Sequence, residues 1–307
     1  MSWLRLKFEL PRSRAGVGEA LMVELGALSV TFVAACGAEI IEPGVGATPL
    51  WPRSELQALF GLDVDFRQLR ERIQAADLQY RGLTADFLDD QDWQNCWRRY
   101  AVRCQFANRL WLAPREAEPV GDAFAPINGP GELVLRLDPG LAFGTGGHPT
   151  TRLCLDWLAH ASLEDQRLLD FGCGSGVLAL AARLLGSRPV YAVDHDPQAL
   201  LATTENAAYN RLADDRLFVG TLDILADVQP FDVIVANILA NPLIELAGDI
   251  SALLAAGGKL VLSGILLAQI AEVKAAYPNM DFQAPAVEAD AQGAQWTRLV
   301  ATKRSVA

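Results

Sequence analysis

The chain has 307 residues, 51% of them apolar, and a formal net charge of −11. That is ample material for one large domain and a smaller one, and the acidic balance argues against a general nucleic-acid binder, which needs a basic footprint. Its five cysteines are widely spaced and form no C-x-x-C, which points to a reducing, cytoplasmic setting and away from a zinc site.

The N-terminus, MSWLRLKFEL, alternates polar and apolar residues like a strand and lacks the apolar core of a secretory signal. The spacing predicts a strand over Trp3–Leu10, a helix over Ala15–Gly26 and a strand over Ser29–Ala35. The apolar stretch from Leu21 to Ile41 is interrupted by Glu24, Gly26, Ser29, Gly37 and Glu39. It therefore reads as helix then strand in a soluble core, not as a membrane span. A Gly/Pro-rich loop follows, then a short strand or turn and a helix from Ser54. Residues 1–60 are thus expected to form a small α+β module of ferredoxin-like type. A further helix is expected over Phe66–Ala76. Residues 92–112 mix helix and strand patterns around Trp93, Trp97 and Trp111, with Arg98, Arg99, Arg103 and Arg109 read as a solvated face. Prolines 114, 119, 126 and 130 mark a connection. Residues 61–130 are read as a linker region with a helix and lead-in strands.

From residue 131 the pattern becomes a repeating β/α one. Strands are expected at Glu132–Leu137, at a run ending in Leu168-Leu169-Asp170, and at Arg188–Asp194, Leu217–Thr221, Phe231–Ala236 and Lys259–Ser263. Helices are expected from Thr150, over Val177–Leu185, from Asp196-Pro197, and over Pro242–Ala255 and Leu267–Ala276. The end reads as a hairpin, Phe282–Glu288 and Gln295–Thr302 about a turn near Gly293. Such alternation implies a mostly parallel sheet covered on both faces. Its ligands bind at the C-terminal ends of the strands.

Three loops at those ends carry the candidate chemistry. In LLDFGCGSGVLAL (168–180), Gly172, Gly174 and Gly176 alternate between strand and helix, two residues after Asp170. A helix N-terminus offers unpaired N–H groups, and glycines let a backbone approach a ligand closely. The dinucleotide pattern G-x-G-x-x-G would place its third glycine at Val177, so the loop fits it poorly. An acid at Asp170 suits a ligand with a cation, such as the ammonium of S-adenosylmethionine. Asp194, about twenty residues on, stands where a carboxylate accepts bonds from ribose hydroxyls. The pair indicates a ribose-bearing ligand and does not by itself separate adenosylmethionine from NAD. Cys173 reads as a small residue filling the turn.

The loop DPGLAFGTGGHPTT (138–151) offers Phe143 as a cover for an adenine or methionine chain and Thr151 as a hydrogen-bonding group in a first helical turn. His148 reads as a loop-shaping residue ahead of a general base. The third loop, Asn237-Ile238-Leu239-Ala240, follows the strand FDVIVA. Methyltransferases of planar nitrogens often carry Asn-Pro-Pro-aromatic here, the ring stacking on the flat acceptor. With no ring at this place, an aliphatic amine fits better. Asn241 before Pro242 reads as a helix N-cap, which leaves Asn237 as the transfer-site residue.

Taken together, FGTGGHPTT, DFGCGSG, VDHDPQA and ANILANPL resemble the PrmA family of class I S-adenosylmethionine-dependent methyltransferases, which trimethylate large-subunit ribosomal protein eleven. The likeness is strong over residues 131 to about 266. It extends to the family's linker at 92–114, and to the substrate-recognition domain, residues 1–60, in pattern only. Gly147 falls where a larger residue is expected. The resemblance implies a Rossmann-like, seven-stranded α/β catalytic domain over residues 131–307. It implies donor contacts at Thr151, Gly172, Asp194 and Asn237, to which the residue reading adds Phe143, Gly174 and Asp170. The implied reaction moves a methyl from a sulfonium to a lysine ε-amine or an N-terminal α-amine, oriented by a carbonyl in the Asn237–Leu239 loop. The amine must be neutral, and a free lysine with a pKa of about 10.4 is so only about once in 2,500 molecules at pH 7; desolvation lowers that pKa. Neither a membrane nor a nucleic acid is an expected partner. The rivals are a class I methyltransferase with another acceptor, an NAD-dependent oxidoreductase, and a nonenzymatic cofactor sensor.

Overall fold

The computed structural model describes residues 2–35, 50–61, 64, 66–89, 103–115, 133–137, 147–291 and 293–305. The chain divides into two units, Met1–Cys96 and Trp97–Ala307.

The first unit runs β1 (Ser2–Pro11), α1 (Ala15–Glu24), β2 (Ser29–Ala34), β3 (Arg53–Phe60), α2 (Phe66–Ala75) and β4 (Arg81–Asp89). Its strands lie in the order β2-β3-β1-β4, each antiparallel to its neighbours. That is the split βαβ arrangement. The period of two in β1 buries Leu4, Leu6, Phe8 and Leu10, and in β3 it buries Leu56, Ala58 and Phe60. These pack with Met22 of α1 and with Leu69 and Ile73 of α2. The opposite face carries charge: Arg5 bonds both oxygens of Asp86, at 3.1 and 2.6 Å, and Lys7 approaches Asp86 at 3.2 Å.

Two expectations fail in this unit. The helix expected from Ser54 is strand β3. Its Glu, Leu, Gln and Ala favour helix locally, but pairing on both sides, with β1 and β2, overrides that propensity. The unit also extends past residue 60. β4 pairs with β1 from Ser2↔Asp89 to Glu9↔Arg81, which draws α2 and β4 in from the region expected to be linker.

The second unit opens with a three-stranded sheet, β5 (Cys104–Phe106), β6 (Leu110–Pro114) and β7 (Leu133–Leu137). Phe106, Leu110, Leu112, Leu135 and Leu137 share one apolar cluster with Leu155 and Leu158 of helix α3 (Pro149–His160). This part of the expected linker is therefore core-forming.

The main sheet follows: β8 (Leu168–Phe171), α4 (Val177–Leu184), β9 (Val190–Val193), α5 (Pro197–Tyr209), β10 (Leu217–Gly220) and β11 (Phe231–Asn237). Then come α6 (Ala240–Glu245), α7 (Ala247–Leu253), β12 (Leu254–Leu266), α8 (Ile270–Ala276), β13 (Met280–Phe282), β14 (Ala286–Ala289) and β15 (Gln295–Lys303). The strand order is β10-β9-β8-β11-β12-β15-β13, with β14 also on β15. The first five are parallel and β15 is antiparallel to its partners. Seven strands thus lie on the path, as expected, and β14 is an eighth. The expected strand Phe282–Glu288 is split into β13 and β14 about Pro285, which has no N–H for the ladder.

Alternate residues of each central strand serve opposite layers. Leu168, Val233, Val235 and Val261 face the cluster that holds α3 and α4. Leu169, Phe171, Ile234, Leu260 and Leu262 face the one that holds α6 to α8. Burial on both faces is why these strands read as unbroken apolar runs. The expected helix Pro242–Ala255 is two helices that meet at Leu246. Asn241 is not an N-cap. The chain turns from β11 into α6 within two residues, so Leu239 takes the cap position and Asn241 falls in the first turn. Strand order reverses at β8, which pairs β9 on one side and β11 on the other. The crevice at such a switch point is where sheets of this kind bind ligands.

Candidate active site

The glycine loop leaves β8 at that switch point. Gly172, Gly174 and Gly176 hold φ of 78°, 53° and 78°, a region that disfavours side chains. Packing adds a second reason. A β-carbon at Gly172 would run into Ile238 Cγ2, and one at Gly176 would stand 2.7 Å from Thr203 Cγ2. The loop is also tied from α5. Thr203 Oγ1 donates to the Gly174 carbonyl at 3.0 Å, and Asn206 Nδ2 to the Ser175 carbonyl at 2.9 Å. Both side chains are buried. Cys173 is buried as well, 3.5 Å from Thr203 Oγ1. Burial and the neighbouring Asp170 push its thiol far above the usual range, so it is an inert filler of the turn.

The two acids differ in circumstance. Asp170 is buried in β8. Its Oδ2 accepts the Ala179 N–H at 2.9 Å, and its Oδ1 is buried with no hydrogen-bond partner. Burial, opposed by that bond and aided by the charge of Asp194, raises its pKa to about 7. Asp194, just past β9, accepts from Gly174 N through Oδ2 and from Asp196 N through Oδ1, each at 3.0 Å. It therefore shapes the glycine loop as well as standing beside it. Asp196 caps α5 as the sequence implies, accepting from Gln198 N at 2.9 Å. Asp194 N donates to the Gly220 carbonyl of β10 at 3.3 Å. That contact sets Asp194 beside the end of β10.

The third group lies one strand over. Asn237 ends β11 in register with Ser263 of β12, and its Nδ2 donates to Thr151 Oγ1 at 3.3 Å. Thr151 is buried in the first turn of α3. Ser263 Oγ lies 3.0 Å from the Thr297 carbonyl and 3.3 Å from that of Thr150. His148 is the N-cap of α3: its Nδ1 accepts from Thr150 N at 3.4 Å, and its ring meets the Trp296 ring edge-on at 4.9 Å. Using Nδ1 as a cap supports the loop-shaping reading of His148. Leu239 is 41% exposed at the mouth of the crevice. Phe143 lies outside the described residues.

The structure thus brings Asp170, Gly172, Gly174, Asp194, Thr151, Asn237 and Leu239 to the same ends of adjacent strands. Sequence reasoning named Ile238 only as part of the third loop and missed Thr203, Asn206, Ser263 and Gly264. The signal for the Ser263-Gly264 pair was a polar residue and a glycine inside the apolar run KLVLSGIL. A cleft of about 540 Å³ lined by Trp157, Gln166, Asp232 and Lys259 opens at the opposite, N-terminal ends of the strands and has no part in this site. Among the described residues no His, Cys, Asp and Glu cluster is placed to hold a metal, and no helix is long and apolar enough to cross a membrane. A donor with a cationic amino group fits the residues present, because the orphaned Asp170 oxygen lacks such a partner.

The chain matches the family model described as ribosomal protein L11 methyltransferase (PrmA) over residues 2–304. The "Ribosomal protein L11 methyltransferase" of Azotobacter vinelandii is 43% identical over 309 residues, covering 99% of this chain and 100% of that one. The protein of the same name from Hahella chejuensis is 40% identical over 279 residues, covering 91% and 92%. The crystal structure of a ribosomal protein L11 methylase from Lactobacillus delbrueckii subsp. bulgaricus is similar at 32% identity and a TM-score of 0.56, covering 66% of this chain and 99% of that one.

Proposed function

The chain belongs to the ribosomal protein L11 methyltransferase family, and we propose that it methylates ribosomal protein L11 on lysine ε-amines and on the N-terminal α-amine, to the trimethylated state. Its enzyme class is protein methyltransferase and its methyl donor is S-adenosylmethionine, which when bound supplies an electrophilic methyl on a sulfonium. The observation that carries the choice of amine is the transfer loop. Ile238 and Leu239 are aliphatic, and Ala240, in the ring's place, is buried. The transfer loop is therefore apolar, and its described residues offer no ring as a platform for a flat base.

In this reading Asp170 pairs with the donor's ammonium, and Gly172 and Gly174 pass close to its amino-acid end. Asp194 accepts from ribose hydroxyls, and Thr151 and Asn237 line the methyl side, with Phe143 as a cover. The apolar surroundings of Leu239 desolvate an incoming amine and favour its neutral, nucleophilic form. A carbonyl of the Asn237–Leu239 loop orients it. Catalysis is then mostly alignment, which accords with the use of His148 Nδ1 as a helix cap. Met1–Cys96 serves to recognise the protein substrate, and the reaction takes place in the cytoplasm, where ribosomal proteins are made.

The test is mass spectrometry of purified ribosomal protein L11 after incubation with the enzyme and donor. Additions of 42 Da (about three methyls per amine) mapped to lysines and the N-terminus are expected. An unmodified protein under conditions where the enzyme binds donor would sink the substrate assignment.

A further inference from the structure

Ile238 stands between two glycines, Gly172 and Gly264, each at positive φ and each without room for a β-carbon. Gly264, just past Ser263 near the end of β12, holds φ +84°. A β-carbon there would lie 2.7 Å from the Ile238 carbonyl carbon, 3.2 Å from its nitrogen and closer still to its oxygen. On the other side, the Ile238 Cγ2 methyl occupies the place a β-carbon at Gly172 would take. The backbone of Ile238 is thus seated on β12, and its side chain on the donor loop. The next residue on each side carries a proposed role: Asn237, bonded to Thr151, and Leu239, at the mouth. Ser263, beside Gly264, is itself bound to the carbonyls of α3 and β15, so the seat is firm.

We propose that Ile238 is a positioning residue of methyl transfer, which sets the distance between the donor loop at Gly172 and the amine held at Asn237–Leu239. The inference rests on the transfer-site reading above. A β-branched side chain has a stiff first torsion, so its Cγ2 methyl is a fixed spacer where an unbranched chain of equal bulk is not. Displacement of reacting groups by about 1 Å costs on the order of 100-fold in rate. Spacing held by one methyl is therefore worth a measurable share of turnover.

The experiment compares Ile238→Val, Ile238→Leu and Ile238→Ala with the wild type, reading kcat, the KM for ribosomal protein L11, the donor Kd and the thermal midpoint. Val keeps the Cγ2 methyl and should stay within about threefold of wild type. Leu keeps the bulk but moves the branch, and Ala loses both. Each should lower kcat by about 10-fold or more, with the donor Kd within about twofold. Were Ala too unstable to study, the Val and Leu pair would decide alone. A Leu variant with wild-type kcat, or a loss carried wholly by the donor Kd or by KM, overturns the proposal. If the wild type methylates a free lysine analogue but not the ribosomal protein, the substrate reading falls and the same ratios, taken on the analogue, still judge Ile238.

Discussion

The two units treat buried polar groups in opposite ways. In Met1–Cys96, Ser54 is the buried polar residue among those described, and Arg5, Lys7 and Arg53 pair with Asp86 and Glu9 on an outer sheet face. In Trp97–Ala307 a set of them, Thr150, Thr151, Asp170, Ser175, Thr203, Asn206, Ser263 and Thr297, gathers around the three loops at the strand ends. Burying a polar group is costly unless it is hydrogen-bonded. A concentration of such groups therefore marks the place where the fold is specialised for something other than stability. By that measure the proposed chemistry belongs to the second unit, and the proposed recognition of the substrate to the surface of the first.

The strongest way to break this comparison is to remove the first unit. Deleting Met1–Cys96 should leave donor binding by calorimetry intact, since the second unit has its own apolar clusters. Methylation of ribosomal protein L11 should fall below detection. A truncated enzyme that works at the full rate would make the first unit a stability element.

Within the second unit, Asn237→Ala should lower kcat by about 100-fold or more while the donor Kd stays within a few-fold. Equal losses in both would move Asn237 into the donor's binding shell. Asp194→Ala should weaken the donor by roughly 10- to 150-fold, the loss of a charge-assisted bond of about 1.5–3 kcal/mol. Because the Gly174 and Asp196 N–H groups lose their acceptor, the thermal midpoint should drop as well. An unchanged Kd with a lowered midpoint would leave Asp194 a loop brace only.

Asp170 gives a pH signature. Its folded pKa of about 7 lies above the roughly 3.9 of an unfolded chain. Its contribution to stability is fully present below about pH 4 and is lost as pH rises towards 7, where the folded protein must give up the proton. Asp170→Asn should flatten the fall of thermal midpoint between pH 4.5 and 7, and should weaken the donor. An identical pH profile in the two proteins would mean that the buried carboxyl titrates normally.

Legibility in the sequence followed the same division. The glycine loop, Asp194 and Asn237 were readable because strand, turn and helix punctuation is local and strong in the second unit. The apolar runs were readable because both faces of each strand are buried. What escaped depended on partners far along the chain. Strand β3 looks helical until β1 and β2 lie beside it. β4 is invisible without its register on β1. Ser263 and Gly264 gain their meaning only from Thr150, Thr297 and Ile238, which are 34 or fewer residues away in two cases and 113 in the third. The misplaced cap at Asn241 came from local rules applied where the strand-to-helix turn was shorter than they assume.

The double attachment of Asp194 bears on how such an enzyme can diversify. One carboxylate both holds the glycine loop in shape and stands where the donor's ribose is proposed to lie, so any drift at this residue damages loop and ligand site together. Leu239 carries no such burden: it is exposed and its side chain makes no capping bond. On the donor side, loop shape and proposed ligand contact are thus tied to one residue, whereas at the mouth the exposed Leu239 can change without disturbing a bond that holds the loop.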